Sequence, residues 1–143
     1  MQSFRNTVTI NRRADEVFAF LADLENIPKW NYAITSTVQA SPGPVGVGTV
    51  FRQTRSIPRP GEETIEITVL EPPERLEVRG QLGPFQATLR YLLTRSGNAT
   101  QLRNEVELEP LSKLLVPLTP LAVPRVKEAV GQNLGVLKGL LEG

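Results

Sequence analysis

A strict period-two alternation in the last third of the chain constrains the fold most. Between residues 102 and 109, apolar or amide side chains at every second position alternate with charged ones. Successive side chains of a β-strand point to opposite faces, so this segment predicts a strand with one face on a core and one in water. Antiparallel sheets commonly leave one face solvated, and we therefore expect a sheet of that kind.

Six further segments have the same character and are separated by turn residues rich in proline and glycine. Each is short, alternates in polarity or is rich in β-branched side chains, and ends at a turn signal such as Ser96-Gly97-Asn98. Together with the first segment they predict seven strands. The predicted strands are 4–10, 32–40, 49–57, 63–70, 75–80, 85–94 and 102–109.

Two stretches have helical spacing instead. Apolar residues of the first stretch, between residues 14 and 24, recur every three or four positions, and Asp15 and Glu16 occupy its first turn, where they favour the helix dipole. Because Pro28 follows, we expect two short helices between the first two strands. Near the C-terminus, Pro124 predicts the first residue of a long helix whose broad apolar arc includes Asn133. A sheet covered by one such helix is an α+β architecture.

Composition excludes several kinds of chemistry. The 143 residues contain no cysteine and no histidine, so thiol catalysis, Ser-His-Asp catalysis and zinc sites built on these ligands are excluded. Sixteen basic and fifteen acidic side chains leave a net charge of +1, which gives no global electrostatic case for nucleic acid. No segment is typical of a signal peptide or long enough to span a bilayer, and we expect a cytoplasmic protein without integral membrane association.

Five pieces of the sequence, in their order and spacing, resemble one known family. They are INRRADEVF at 10–18, ADLENIPKW at 22–30, GVGT at 46–49, VLEPPERL at 69–76 and LKGLLE at 137–142. Over nearly its whole length the chain resembles the START-like, or SRPBCC, superfamily in its polyketide cyclase/dehydratase and lipid-transport branch. The resemblance implies one domain, 1–143, with a helix-grip fold: a seven-stranded antiparallel sheet around a long C-terminal helix, and a mainly apolar cavity between them.

Polar residues on inward faces are the informative candidates for a site. Tyr91, Asn104 and Asn133 lie among apolar residues of the same face, so they either orient a ligand in the cavity or bond to backbone or buried water. Gln53 is a weaker candidate, and Trp30 either contacts ligand or plugs the junction of helix and sheet. The full set of predicted ligand-binding residues is Trp30, Phe51, Gln53, Ile67, Val78, Phe85, Tyr91, Asn104, Asn133 and Leu137.

Catalysis has weak support. We expect the carboxylates to lie at turns, on helix surfaces or on outward strand faces, with Glu63 at a turn. Tyr91 is then the one weak catalytic candidate, as a proton donor, and no metal or cofactor is expected. For Arg52, Arg55 and Arg59 we favour a solvated strand face over a site for an anionic headgroup.

Three functions remain open. The leading hypothesis is binding of a small hydrophobic molecule. The second is a polyketide cyclase or dehydratase in which Tyr91 is the acid and Asn104 polarises a carbonyl, and the third is a protein-interaction module. Gly131, Gly135 and Gly139 form a stripe that either weakens the C-terminal helix, so that it opens for ligand entry, or admits a second subunit in a homodimer.

Overall fold

A computed structural model describes residues 2–143, and most of them form one seven-stranded antiparallel sheet. The strands are β1 Gln2–Ile10, β2 Ile34–Gln39, β3 Val50–Arg55, β4 Gly61–Glu71, β5 Arg75–Leu82, β6 Phe85–Ser96 and β7 Ala99–Pro110. Their spatial order is β1-β7-β6-β5-β4-β3-β2, so hairpins join β2 through β7 in sequence and β1 pairs with the last strand. The predicted α+β fold with a seven-stranded antiparallel sheet is confirmed.

One face of the sheet forms the core. In β7 the even-numbered residues from Thr100 to Leu108 are buried, whereas the residues between them are exposed or partly exposed. Asn104 pairs with Tyr91 of β6 and with Asn6 of β1, both antiparallel neighbours. The alternation that predicted this strand therefore also identifies its even-numbered residues as the face that packs on the core.

Two short helices follow β1, as predicted. They are α1 Ala14–Ala22 and α2 Ile27–Trp30, joined by a single 3₁₀ turn, Leu24–Asn26. Val17, Phe18 and Leu21 of α1 are buried against the sheet. Pro28 lies in the first turn of α2, where the missing N–H needs no partner within the helix.

The long C-terminal helix, α3 Thr119–Glu142, begins earlier than the sequence predicts. A 3₁₀ segment, Lys113–Leu118, leads into it, and Pro120 occupies its first turn. Pro124 was predicted as the first residue but lies inside the helix. It removes one backbone hydrogen bond there, and because it is exposed the freed carbonyl can be solvated.

The C-terminal half of α3 is tied to β1 and the turn that follows it. Leu134 and Leu137 are buried in the main core. The Lys138 ammonium donates to the Thr9 carbonyl at 2.6 Å, and the Arg12 guanidinium donates to the Leu141 carbonyl at 2.5 Å. The Asn6 side-chain Nδ2 also donates to the Lys127 carbonyl at 3.1 Å. Within the described part of the chain, no such bond is found for residues 121–126, where Ala122, Val123 and Val126 pack on the core instead, so the first turns of the helix are held differently from the rest.

The three helix glycines do not share one environment. A Cβ atom at Gly131 would lie 3.3 Å from the Asn6 side-chain oxygen, whereas at Gly135 and Gly139 it would meet open space. Gly131 therefore lets α3 approach β1 closely, and the other two face solvent as the polar stripe of the sequence predicts.

Candidate ligand-binding site

An open groove of about 770 Å³ runs between the first half of α3 and the ends of several strands. One wall is the helix face that carries Leu121, Val126 and Val130. The opposite wall comes from the loops that follow β3 and β5, including Ile57, and from Phe85 at the start of β6. Most of its lining is apolar, and its outer edge includes exposed side chains such as Leu121, of which 73% is accessible.

A second, smaller cavity of about 50 Å³ lies deeper, between the sheet and the short helices. Its walls include Leu21 of α1, Trp30 of α2 and Tyr91 of β6, and no residue of α3 lines it. We call it the inner cavity. Three residues, Asn31, Arg55 and Leu82, line both spaces and so stand between them. The groove and the inner cavity are therefore neighbours, separated by these three side chains.

A buried ionic cluster lies at this junction. The Arg55 guanidinium donates to both oxygens of the Glu63 carboxylate, with N–O distances from 2.6 to 3.2 Å, and the Gln53 amide donates to the same carboxylate at 2.8 Å. The Arg55 and Glu63 side chains are 10% and 4% exposed. In β3 and β4 these three residues share the inward face with Phe51 and Ile65.

This cluster corrects two expectations. Glu63 does not lie at a turn, because β4 begins at Gly61 and Glu63 faces inward on the parity of Ile65. Arg55 does not belong to a solvated face, because it follows Phe51 and Gln53 on the inward parity of β3. The alternating pattern of each strand, extended to the end of the strand, would have identified both residues.

Several buried polar atoms near the site have no hydrogen-bond partner among residues 2–143. They include the Trp30 indole Nε1, the Gln53 Oε1 and the Asn133 Oδ1. Trp30 and Gln53 line the inner cavity, and Asn133 lines the groove. A buried unpaired polar group costs about 1–3 kcal/mol, so each of these atoms is a place where water or a ligand would be stabilised.

Tyr91 also lines the inner cavity. Burial disfavours the phenolate and raises the pKa of Tyr91 far above its ordinary value. The phenol is therefore neutral throughout the physiological range and can both donate and accept a hydrogen bond.

The predicted site residues fall into three groups. Trp30, Gln53, Val78 and Tyr91 line the inner cavity, and Phe85 and Asn133 line the groove. The remaining four are buried behind these spaces and line neither: Phe51, Ile67, Asn104 and Leu137. The Asn104 amide is held by the backbone, since its Nδ2 donates to the Arg90 carbonyl at 3.1 Å.

The comparisons with known proteins place the chain in a family. Residues 1–142 match the model of the polyketide cyclase / dehydrase and lipid transport family, and the chain belongs to this family. It is the START-like class that the sequence resemblance indicated. No curated protein matches the chain in sequence.

Solved structures share the fold at low sequence identity. A START superfamily protein from Mycobacterium smegmatis has a TM-score of 0.80 at 17% identity, covering 98% of this chain and 97% of that chain. The Zhui aromatase/cyclase from Streptomyces sp. R1128 has a TM-score of 0.77 at 16% identity, covering 99% and 93%. Ara h 8.0201 has a TM-score of 0.78 at 16% identity, covering 98% and 97%. Within residues 2–143, no helix has the length and apolar character needed to cross a bilayer.

Proposed function

We propose that the protein binds a small hydrophobic molecule whose apolar body lies in the groove. The observation that carries this proposal is an open, mainly apolar groove of about 770 Å³ that adjoins a smaller inner cavity with a few polar side chains in its wall. Binding pockets for small molecules are typically clefts of about 300–1,000 Å³ with apolar walls and a few well-placed polar groups. The groove has this size and this chemistry.

The predicted ligand-binding residues take different roles in this proposal. Phe85 and Asn133 contact the body of the ligand, while Trp30, Gln53 and Tyr91 meet the end that reaches the inner cavity. The other four residues do not contact the ligand but pack against the side chains that form the walls: Phe51, Ile67, Asn104 and Leu137. We therefore expect substitutions in this last group to lower stability more than they change ligand preference.

A blocking substitution tests the groove. Ala129 lines it on α3, whereas Gln132 is exposed on the same helix and lines no part of it. Ala129→Phe places an aromatic ring in the groove and should weaken binding at least about tenfold, the ratio that corresponds to about 1.4 kcal/mol. Gln132→Phe adds the same side chain outside the groove and should leave affinity unchanged.

The assay uses Trp30, which is the single tryptophan of the chain. Its fluorescence is titrated with lipids, flavonoids and polyketides, and circular dichroism checks that both variants fold. The absence of any saturable response, or equal affinity of the two phenylalanine variants, would contradict the proposal.

An enzymatic role is the second candidate, and the position of Tyr91 is what favours it. Its neutral phenol lines the inner cavity and is in the protonated state that a general acid requires. The Glu63 carboxylate already accepts three side-chain donors, which leaves it poorly placed as a base. Retained turnover of a polyketide substrate in Tyr91→Phe would reject Tyr91 as the acid of a cyclase or dehydratase.

Other expectations remain predictions of the sequence. They are the single domain, the cytoplasmic location, the absence of a nucleic-acid partner and the homodimer. We give preference to the small-molecule partner because the groove offers a place for it.

A further inference from the structure

Two residues that line the inner cavity each carry one buried, unpaired side-chain atom. The Trp30 Nε1–H can only donate and the Gln53 Oε1 can only accept, and neither finds a partner among residues 2–143. Trp30 and Gln53 are 6% and 5% exposed, and both line the same space of about 50 Å³. A group that enters this space is favoured if it pairs with both atoms at once.

The orientation of the Gln53 amide follows from its neighbour. The amide nitrogen donates to Glu63 Oε1 at 2.8 Å. A flipped amide would place its oxygen against the carboxylate, which repels it, so the oxygen is the atom left free. The buried carboxylate therefore determines that the unpaired atom of Gln53 is an acceptor.

The same carboxylate makes the site unsuited to an anion. The Arg55 guanidinium is paired with Glu63 through Nε and Nη2, and its Nη1 donates to the Ile57 carbonyl at 3.3 Å. An entering carboxylate would find the positive charge already neutralised and would lie near a second negative group. Two carboxylates in one poorly solvated site repel each other.

We propose that the inner cavity selects a neutral hydroxyl group, so that the preferred ligand is an apolar alcohol or phenol. A hydroxyl accepts from Trp30 Nε1 while it donates to Gln53 Oε1, and the neighbouring Tyr91 phenol offers one more partner. A space of about 50 Å³ admits a water-sized group but not a ring, so the apolar body stays in the groove. This inference rests on the proposed function and names the chemical class of its ligand.

Three matched probes test this preference. They are 2-naphthol, 2-fluoronaphthalene and 2-naphthoate, which share one apolar body and end in a hydroxyl, a fluorine that cannot donate, and a carboxylate. Their affinities for the wild-type protein are measured by equilibrium dialysis at neutral pH. We expect 2-naphthol to bind roughly tenfold more tightly than 2-fluoronaphthalene, the ratio expected for one buried hydrogen bond, and 2-naphthoate to bind more weakly than 2-naphthol.

Two variants assign the preference to the named atoms. Trp30→Phe keeps an aromatic ring but removes the donor, and Gln53→Leu removes the acceptor. Each should lower the affinity for 2-naphthol about tenfold and change the affinity for 2-fluoronaphthalene much less. The comparison of probes on the wild-type protein stands even if a variant fails to fold.

The outcomes separate this inference from the function on which it rests. Equal binding of 2-naphthol and 2-fluoronaphthalene would overturn it, because water would then satisfy the two atoms whichever ligand is present. Tightest binding of 2-naphthoate would also overturn it, in favour of an anion site. In both cases the proposed function still stands if Ala129→Phe weakens binding of the probes. If neither the probes nor the wider panel of ligands binds, the hydroxyl preference and the proposed function are both refuted.

Discussion

Neutralising Glu63 should destabilise the protein strongly. The Glu63 side chain is 4% exposed and contacts Arg55 through three N–O distances of 3.2 Å or less. Removing one partner of a buried ion pair leaves an uncompensated charge and costs about 3–5 kcal/mol. For Glu63→Gln we expect about 3 kcal/mol, because the amide oxygen still accepts from Arg55. With a urea slope of about 1.5 kcal/mol/M, the unfolding midpoint should fall by roughly 2 M.

An exposed pair gives the matched control. Glu71 and Arg75 are 3.5 Å apart, with side chains 60% and 49% exposed. Glu71→Gln makes the same chemical change in water and should cost less than about 1 kcal/mol. If Glu63→Gln cost no more than this control, water would have to reach the buried pair, and the reasoning from burial would be refuted.

The double replacement separates charge from packing. Arg55→Met together with Glu63→Leu removes both charges and keeps most of the apolar contact. Replacing a whole buried ion pair by apolar groups is often neutral, so the double variant should lose less stability than the sum of the two single replacements. Urea unfolding of the four proteins in this cycle measures the coupling directly.

Three further predictions concern the sheet and the C-terminal helix. Gly80→Ala should lower stability by more than about 2 kcal/mol in thermal unfolding, because its Cβ would lie 2.5 Å from a backbone oxygen, whereas Gly135→Ala meets open space and should be neutral or stabilising by up to about 1 kcal/mol. The hydrogen bonds from Lys138 and from the Asn11 N–H lower the pKa of Glu142, so the stabilisation is present above the ordinary pKa and is lost as pH falls through the lowered one. The protection of the Asn11 amide proton, its exchange rate relative to an unstructured peptide at the same pH, should fall over that interval, and Glu142→Gln should abolish this dependence. Amide exchange in α3 should be faster for 119–126 than for 131–142, and a uniform rate along the helix would contradict the difference in anchoring.

That last prediction changes the expectation drawn from the helix glycines. The sequence places three costly residues at 131, 135 and 139, which suggests that the end of the helix opens. In the structure that end is held by Lys138 and Arg12, and Gly131 packs against Asn6. The groove is lined mainly by the first half of α3, so the helix glycines do not mark the part of the helix that borders it.

The architecture could be predicted because its signals are local. Alternation over 102–109 identifies β7 and its buried face without knowledge of any partner strand. The start of α3 could not be placed in the same way. Proline is favoured in the first turn of a helix, and Pro120 and Pro124 both satisfy this rule, so tertiary packing decides between them.

The buried cluster could be predicted only in part, because it depends on both parity and register. Side chains two residues apart in a strand share a face, so an inward Ile65 predicts an inward Glu63. The sequence contains this signal once the strand is taken to begin at Gly61. The register that sets Gln53 opposite Glu63 cannot be predicted in this way, because it depends on how tightly the intervening turn closes. Once these strands pair, Arg55 two residues along must find its counter-charge on the neighbouring strand, because its inward position offers little water. The Glu63 carboxylate of this pair then holds the Gln53 amide nitrogen and leaves the amide oxygen unpaired, in a residue that lines the inner cavity. If the proposed hydroxyl preference holds, this charge pair, which contacts no ligand itself, sets the polarity of the group that the site accepts.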